Sequence, residues 1–340
     1  MSGPGTGTGT QAERDRAVAL LRDAQDVVLV CHTSPDGDAL GALLALGSAL
    51  RARGTHVLCS WGEEPLLVPD TYAFLPAQDL LVPPSKVPDR PRVLVALDSS
   101  SPDRLGLLAD RISGAGCVLV VDHHTAGEPF GDVRLVDPTA AATLVLVADL
   151  LDGLGVPLDH DVATALYTGL VTDTGSFKHA CTTPDVHALA GRLLATGIRH
   201  DEISRAVWDT NPFGYLQALG AACSGARLEP DAVGGLGLVW SSLTDADLRG
   251  AGVALADVEG VIDVLRTTRE AEVAVVLKQE PGGALRVSTR CKGAVDLGAV
   301  CGALGGGGHR SAAGYTSTDD VEGTLATLRT ALAAAPHLPV

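Results

Sequence analysis

The sequence contains few aromatic residues and few basic ones. Phe, Trp and Tyr make up 3% of the 340 residues, while hydrophobic residues as a whole reach 46%, so the core has to be built from Ala, Val and Leu. Lys and Arg number 25 against 41 Asp and Glu, which gives a formal net charge of −16. Because binding along a nucleic-acid backbone needs a basic surface, this charge argues against long duplex nucleic acid as a partner. A small phosphorylated ligand in one local pocket stays compatible with it.

Long apolar runs and a cysteine framework are also missing. The longest apolar stretches, such as ALGALLALGSAL (39–50), are too short to span a bilayer, and no basic segment precedes an apolar one as in an export signal. Seven cysteines without regular spacing predict reduced thiols. We therefore expect a cytoplasmic protein with no membrane partner. Residues 1–12, which include SGPGTGTGT, are expected to be a disordered leader.

The first half of the chain alternates apolar runs with helical patterns. Continuous apolar runs of this kind are typical of parallel strands that are buried on both faces. The strands are predicted at 27–31, 56–60, 92–97 and 117–121. The amphipathic segment 38–54 between the first two strands completes a βαβ pattern and ends at a glycine. The sequence thus predicts an α/β domain with a doubly wound, mostly parallel sheet.

The pattern changes in the second half. Helical patterns dominate up to about residue 210, and we assign 13–210 to the first domain and 211–225 to a connecting helix or linker. Beyond this point, alternating segments appear, including a hairpin pattern over 272–290 around Pro-Gly-Gly. We therefore predict a second, smaller α+β domain over 226–336.

Acidic and histidine residues follow three of the four predicted strands. In an open parallel sheet the carboxyl ends of the strands line one edge, where ligands bind. The residues concerned, together with an acid late in an apolar helix, are His32, Asp36, Asp38, Asp98, Asp122, His123, His124 and Asp173. We expect them to converge on one crevice.

This set of residues matches the ligand chemistry of two divalent cations. Four carboxylates (Asp36, Asp38, Asp98 and Asp173) carry four negative charges, and imidazoles lie nearby. An oxygen-rich set with some imidazole favours Mn²⁺. A structural explanation also exists, because Asp36 and Asp38 lie in strong turn chemistry and, like Asp98, could cap a helix.

The order of the motifs resembles one known family. HTSPDGDALG (32–41), ALDSSS (96–101), VDHH (121–124) and TGLVTDTGSF (168–177) resemble the four motifs of the DHH phosphoesterases. GGGGHRSAAG (305–314) and VSTRCKG (287–293) are similar to the glycine-rich signature and the arginine-bearing strand of the accompanying DHHA1 domain. The size of the chain is similar to that of the compact oligoribonuclease and pAp-phosphatase (NrnA-like) branch, which includes cyclic di-AMP phosphodiesterases.

The resemblance implies a role for each matching position. One metal ion would take His32, Asp36 and Asp98, and a second would take Asp38, Asp98, His123 and Asp173. Asp122 would orient a histidine, and His124 would face the scissile phosphate. The residues that would hold substrate phosphate are Arg290, His309, Ser288, Gly306, Gly307 and Gly308. The resemblance also implies a homodimer, which the apolar helices after residue 140 favour weakly.

The C-terminal motifs make chemical sense by themselves. Glycines before His309 allow backbone N–H groups to turn towards an anion, and Arg290 offers a bidentate donor. A flexible loop is the alternative for the glycines. Cys291 and Lys178 depart from the residues that the family usually has, and neither is a metal position.

The implied reaction is metal-assisted phosphoester hydrolysis. Its expected substrates are short oligonucleotides such as nanoRNA and pApA, 3′-phosphoadenosine 5′-phosphate (pAp), and cyclic di-AMP. Two alternatives stay open at this point: an inorganic pyrophosphatase, against which the glycine-rich motif argues, and a catalytically inactive nucleotide sensor, against which the complete ligand set argues.

Overall fold

The computed structural model describes residues 11–99, 101–124 and 128–338. The chain divides into two compact units, one up to Thr210 and one from Asn211 onward. Most of the expected leader lies outside the described residues, and its last two residues, Gln11 and Ala12, begin the first helix. The segment 211–225, expected as a linking helix, is helical over most of its length and packs within the second unit.

The first unit contains a five-stranded parallel sheet. Its strands are β1 (Asp26–Cys31), β2 (His56–Trp61), β3 (Val93–Leu97), β4 (Cys117–Asp122) and β5 (Val133–Val136). They lie in the order β2-β1-β3-β4-β5, and all neighbours pair in parallel. The four strands predicted from apolar runs are present, and β5 is an additional edge strand.

Helices cover this sheet. They are α1 (Gln11–Asp23), α2 (Gly37–Ala52), α3 (Arg111–Gly114), α4 (Thr143–Leu154), α5 (His160–Asp173), α6 (Pro184–Leu194) and α7 (His200–Trp208). One face of the sheet packs against α2 and α4, with α5 packed on their outer side, and the other face packs against the 3₁₀ segment Pro102–Leu108. This is the doubly wound α/β arrangement that the sequence predicts.

Helix α2 is buried on nearly all sides because it lies between the sheet and α5. Glycines permit the close approach of the two helices. A Cβ on Gly41 would lie 2.5 Å from the carbonyl oxygen of Ala165, and one on Gly169 would lie 2.8 Å from the Cα of Asp38. The apolar surfaces of α4 and α5 are used in this core, so they no longer favour a second copy of the chain.

The second unit contains a six-stranded mixed sheet. Its strands are β6 (Arg227–Glu229), β7 (Leu238–Leu243), β8 (Val273–Gln279), β9 (Leu285–Cys291), β10 (Gly307–His309) and β11 (Ala312–Ser317), in the order β10-β11-β9-β8-β7-β6. Only β7 and β8 pair in parallel among these described strands, and β8 and β9 form the predicted hairpin.

Six helices accompany this second sheet in the described residues. They are α8 (Phe213–Gly225), α9 (Ala232–Gly235), α10 (Asp245–Ala251), α11 (Val261–Leu265), α12 (Leu297–Ala303) and α13 (Val321–Ala334). One apolar cluster lies on each face of the sheet. Over residues 11–99, 101–124 and 128–338, no helix is long and apolar enough to cross a membrane.

Candidate metal centre

The site lies where the order of the first sheet reverses. The chain leaves β1 towards β2 on one side, and β3 lies on the other side, so a crevice opens beyond the ends of β1 and β3. His32 follows β1 and Asp98 follows β3, and His32 Nε2 lies 3.4 Å from Asp98 Oδ2. Both side chains are buried. The topology therefore brings together two residues that are 66 positions apart in sequence.

The first group of ligand-type atoms consists of His32, Asp36 and Asp98, whose atoms lie within 4.8 Å of one another. The Nδ1 atom of His32 is 2.7 Å from the carbonyl oxygen of Thr33. If Nδ1 carries the proton and donates it there, Nε2 is left to face the carboxylates. Asp36 Oδ1 accepts the amides of Asp38 and Ala39 and so caps α2. The capping role considered for Asp36 is thus present, and the residue also lies in this group.

The second group consists of Asp38, His123 and Asp173, again within 4.8 Å of one another. His123 Nε2 lies 3.2 Å from Asp173 Oδ2, 3.9 Å from Asp38 Oδ2 and 3.7 Å from Asp98 Oδ1. Asp38 is in the first turn of α2 and Asp173 is the last residue of α5. The close approach of these two helices brings the two carboxylates to one place, with Asp98 adjacent to both groups.

The N-terminus of α4 holds two of the acids in position. Asp38 accepts the amides of Thr143 and Leu144 at 2.6 and 2.9 Å, and the Thr143 hydroxyl donates to Asp98 Oδ1 at 2.9 Å. The positive end of the helix dipole favours carboxylates there. Thr143, which is completely buried, is not among the residues predicted from the sequence.

Asp122 organises the two histidines that follow β4. Its Oδ1 accepts the backbone amides of His123 and His124 and lies 2.7 Å from His124 Nδ1. The Nδ1 atom of His123 lies 3.2 Å from the carbonyl oxygen of Ala140. These contacts fix both imidazole rings and direct Nε2 of His123 to the carboxylates.

The electrostatics of the site reflect the crowding of acids around histidines. Burial lowers the pKa of His32, but the hydrogen bond to Asp98 and the charge of Asp36 outweigh it and raise that pKa to about 9. Burial likewise lowers the pKa of His123, and Asp173 and Asp38 overcome this effect and raise it to about 11. Burial raises the pKa of Asp173 to about 6, and burial with the charge of Asp98 raises that of Asp38 well above its ordinary value.

Asp98 behaves in the opposite way. Burial raises the pKa of its carboxyl, but the hydrogen bond from His32 and the charges of His124, His32 and His123 hold that pKa well below its usual range. Every ion pair that Asp36, Asp38, Asp98 and Asp173 form within the described chain is to a histidine, and none is to Lys or Arg. Carboxylates that have no lysine or arginine partner and lie next to imidazole nitrogens fit divalent cations as a donor set.

In the second unit, three of the predicted phosphate-binding residues share one face of the sheet. Arg290 pairs with Ala312, which pairs with His309 across the next strand. Ser288 lies two residues before Arg290 and therefore points to the same side. Arg290 is partly exposed, and its Nε lies 3.7 Å from Asp263 Oδ1.

Close packing requires glycine at two positions of the same motif, Gly306 and Gly308. A Cβ on Gly306 would lie 2.1 Å from the carbonyl oxygen of Gly314, and Gly308 has a φ of +136°. The Gly306 amide donates to the carbonyl oxygen of Cys301, so it is used within the fold rather than turned towards an anion. Gly307 and Gly308 are in β10, so part of this motif is a strand and not a flexible loop.

Comparisons with known proteins agree with this architecture. The DHH family, N-terminal domain, matches residues 26–170, and the DHHA1 domain matches residues 240–335. A bifunctional oligoribonuclease and PAP phosphatase NrnA from Thermus thermophilus is 34% identical over 307 residues, which cover 89% of this chain and 88% of that protein.

Two further proteins are similar over most of the chain. A cyclic-di-AMP phosphodiesterase GdpP from Geobacillus thermodenitrificans is 26% identical over 88% of this chain and 46% of that protein. An exopolyphosphatase-related protein from Bacteroides fragilis shares the fold with a TM-score of 0.85 at 24% identity, covering 95% of this chain and 96% of that one. Given the two matching domains and the extent of the Thermus similarity, this chain belongs to the DHH family and carries a DHHA1 domain.

Proposed function

We propose that this chain is a phosphoesterase that uses two divalent cations, most favourably Mn²⁺, at the edge of the first sheet. His32, Asp36 and Asp98 would hold one ion, and Asp38, His123 and Asp173 would hold the other with Asp98 shared. The observation that supports this most directly is the pair of adjacent ligand groups around Asp98. The Thermus and Geobacillus relatives, an oligoribonuclease and PAP phosphatase and a cyclic-di-AMP phosphodiesterase, both act on phosphoester bonds and support the same reaction class.

Two bound divalent cations supply charge stabilisation at phosphoryl oxygens and lower the pKa of a water nucleophile. The residues of the chain position the other participants. Asp122 Oδ1 lies 2.7 Å from Nδ1 of His124 and orients its ring, so that Nε2 of His124 would face the charge that develops on the leaving oxygen. Asp98 and Asp38, fixed by the N-terminus of α4, keep the carboxylate oxygens in place without reorganisation during the reaction.

The substrates that we propose are short: nanoRNA, pApA, pAp and cyclic di-AMP. A formal charge of −16 disfavours long polyanions, whereas one basic face in the second unit is sufficient for a single phosphate. Arg290, Ser288 and His309 lie on that face and would hold a phosphate that does not itself react, with Gly307 and Gly308 beside them. Gly306 would act through strand packing, since its amide is already used.

A substrate panel with the purified protein in Mn²⁺ tests the proposal. We expect hydrolysis of the short nucleotides and little release of phosphate from pyrophosphate. Asp98→Ala removes the shared ligand and is expected to lower kcat by several orders of magnitude. Asp26→Ala is the matched control, because Asp26 is exposed at the start of β1, at the opposite end of the strand from the site, and pairs with His56.

Three results would contradict the proposal. Preferential hydrolysis of pyrophosphate would indicate an inorganic pyrophosphatase, and nucleotide binding without turnover would indicate a sensor. If Asp98→Ala kept a tenth or more of the wild-type kcat, the assignment of the shared ligand would be wrong.

We also propose, from the family resemblance, that the protein is a cytoplasmic homodimer. Light scattering at micromolar concentration tests the oligomeric state, and a monomer mass would overturn it. Cell fractionation tests the location, and recovery of the protein outside the cytoplasmic fraction would overturn that part.

A further inference from the structure

The basic face of the second sheet ends at a buried lysine. On the β7 and β8 side, this face carries Val239, Leu243, Ala274 and Val276, which pack into an apolar cluster with α8 and α11. On the β9 side the same face carries Arg286, Ser288 and Arg290. Lys278 lies at the border, directly opposite Arg286 in the β8–β9 pair.

Lys278 is 1% exposed and its ammonium lies 2.6 Å from Glu259 Oε1. Burial lowers the pKa of Lys278, and the facing charges of Arg286 and Arg290 lower it further, while Glu259 raises it. The Glu259 side chain, in contrast, is 49% exposed. A buried lysine therefore anchors a carboxylate whose outer part is open to solvent. Burying an ammonium group is costly unless it is paired, and Glu259 is the partner that offsets this cost.

Glu259 lies on the same short segment as Asp263, which contacts the proposed phosphate-binding residue Arg290. The backbone of Glu259 and Gly260 has right-handed helical φ and ψ angles and leads directly into α11. Asp263 in that helix follows Glu259 by four residues, and its Oδ1 lies 3.7 Å from Arg290 Nε. Glu259 is thus about one helical turn, ~5.4 Å along the axis, from the residue that contacts Arg290. A nucleotide bound to Arg290 through its phosphate would lie next to the segment that carries Glu259.

We propose that Glu259, held in place by Lys278, accepts a hydrogen bond from a ribose 2′-hydroxyl of the substrate and selects ribonucleotides over deoxyribonucleotides. This inference rests on the proposed function and on Arg290 binding a substrate phosphate. An ionised carboxylate only accepts hydrogen bonds, and the 2′-hydroxyl is the donor that a deoxyribonucleotide lacks. Lys278 neutralises the carboxylate, which would otherwise repel the neighbouring phosphate. Glu259 is a specificity-determining residue, and Lys278 is a positioning residue that acts through it.

The test compares kcat/KM for pApA with that for its 2′-deoxy counterpart. We expect the wild-type protein to favour the ribose form. Glu259→Ala should lower kcat/KM for pApA by about tenfold to a hundredfold, the range of a charge-assisted hydrogen bond, and leave the deoxy substrate nearly unchanged. Lys278→Met keeps the volume and the apolar stem of the side chain. It should reduce the ratio of kcat/KM for pApA to kcat/KM for the deoxy substrate, because Glu259 loses its anchor.

A double variant and a control separate positioning from stability. Since Lys278 acts through Glu259, Glu259→Ala with Lys278→Met should equal Glu259→Ala alone, and it leaves no unpaired buried ammonium if a single variant folds poorly. Glu322→Ala removes an exposed carboxylate from the first turn of α13 and should leave the ratio unchanged.

Equal losses on the two substrates, or no loss on either, would overturn the assignment of Glu259. If the wild-type protein hydrolysed neither substrate, the proposed function would fail. Equilibrium binding of the same ribose and deoxy pair would then test Glu259 independently, and equal affinities would overturn its role.

Discussion

Asp98 combines a left-handed backbone with a completely buried carboxylate. Its φ of +54° is a region that residues other than glycine rarely adopt, although Asp and Asn tolerate it better than most. This conformation turns the side chain back to His32, His124 and Thr143 at the end of β3. Backbone strain of this kind is typical of functional sites, where the surrounding structure maintains it.

Thr143 should matter for turnover although it is not a proposed metal ligand. Thr143→Val removes the hydroxyl that donates to Asp98 Oδ1 and leaves a buried acceptor without that donor. We expect kcat to fall by about tenfold or more, corresponding to ~1–3 kcal/mol for the lost hydrogen bond. Thr143→Ser keeps the hydroxyl and should retain most of the activity. A Val variant with wild-type kcat would show that this hydrogen bond does not orient Asp98 in the reaction.

At the level of residues, the sequence predicted the positions that follow strands and missed those whose role depends on distant partners. Asp98 and His123 follow apolar runs, so the edge that they share could be inferred. Thr143 begins a helix whose sequence is that of an ordinary core helix, and its partner is 45 positions away. Lys278 is the last residue but one of an apolar strand, and a lysine is usually exposed.

At the level of elements, the glycine-rich motif is a strand pair rather than an open loop. Gly306→Ala would place a Cβ 2.1 Å from the carbonyl oxygen of Gly314, and that contact is with backbone that cannot simply rotate away. We expect a loss of several kcal/mol in the free energy of unfolding of the second unit, in the upper range for single substitutions. Urea unfolding measures it.

Gly302→Ala is the matched control for this prediction. Gly302 lies in α12, and a Cβ there meets nothing within 4 Å. Alanine is preferred to glycine inside helices by about 1 kcal/mol, so this variant should be neutral or slightly stabilised. If both variants were equally stable, the close approach of residue 306 to Gly314 in β11 would not be the reason for the glycine at 306.

The strands with continuous apolar runs were predictable, and the elements defined by tertiary contacts were not. β5 is only four residues long and alternates as VRLV at the edge of the sheet, so its local signal is weak. The burial of α2 on nearly all sides depends on α5, which lies more than 100 positions further along the chain. The hairpin of β8 and β9 was predictable because its turn residues lie between two strand patterns.

For the whole molecule, the raised histidine pKa values predict how the stability of the metal-free protein depends on pH. The folded state holds protons on His32 up to about pH 9 and on His123 up to about pH 11, whereas an unfolded imidazole loses its proton near pH ~6.5. The folded state thus binds more protons than the unfolded state above the ordinary value. The free energy of unfolding should therefore fall as the pH rises from about 6.5 to about 9.

Unfolding by urea in the presence of EDTA measures this trend, and the same experiment in Mn²⁺ isolates the contribution of the site. Metal ligation needs neutral imidazoles, so metal binding should strengthen as the pH rises and oppose the loss. The stabilisation by Mn²⁺ should consequently be larger at about pH 8.5 than at about pH 6.5. Two results together would contradict the protonated state described for His32 and His123. The metal-free protein would gain stability between about pH 6.5 and about pH 8.5, and the stabilisation by Mn²⁺ would be the same at both pH values.

The central claim is that the two ligand groups around Asp98 bind two divalent cations that the reaction needs. The most direct test is the number of Mn²⁺ ions bound per chain at saturation, measured on the same samples whose hydrolysis of pApA is followed. We expect two ions per chain, with activity rising only as the second site fills, and fewer bound ions for Asp98→Ala. Full activity with one ion or none would contradict it.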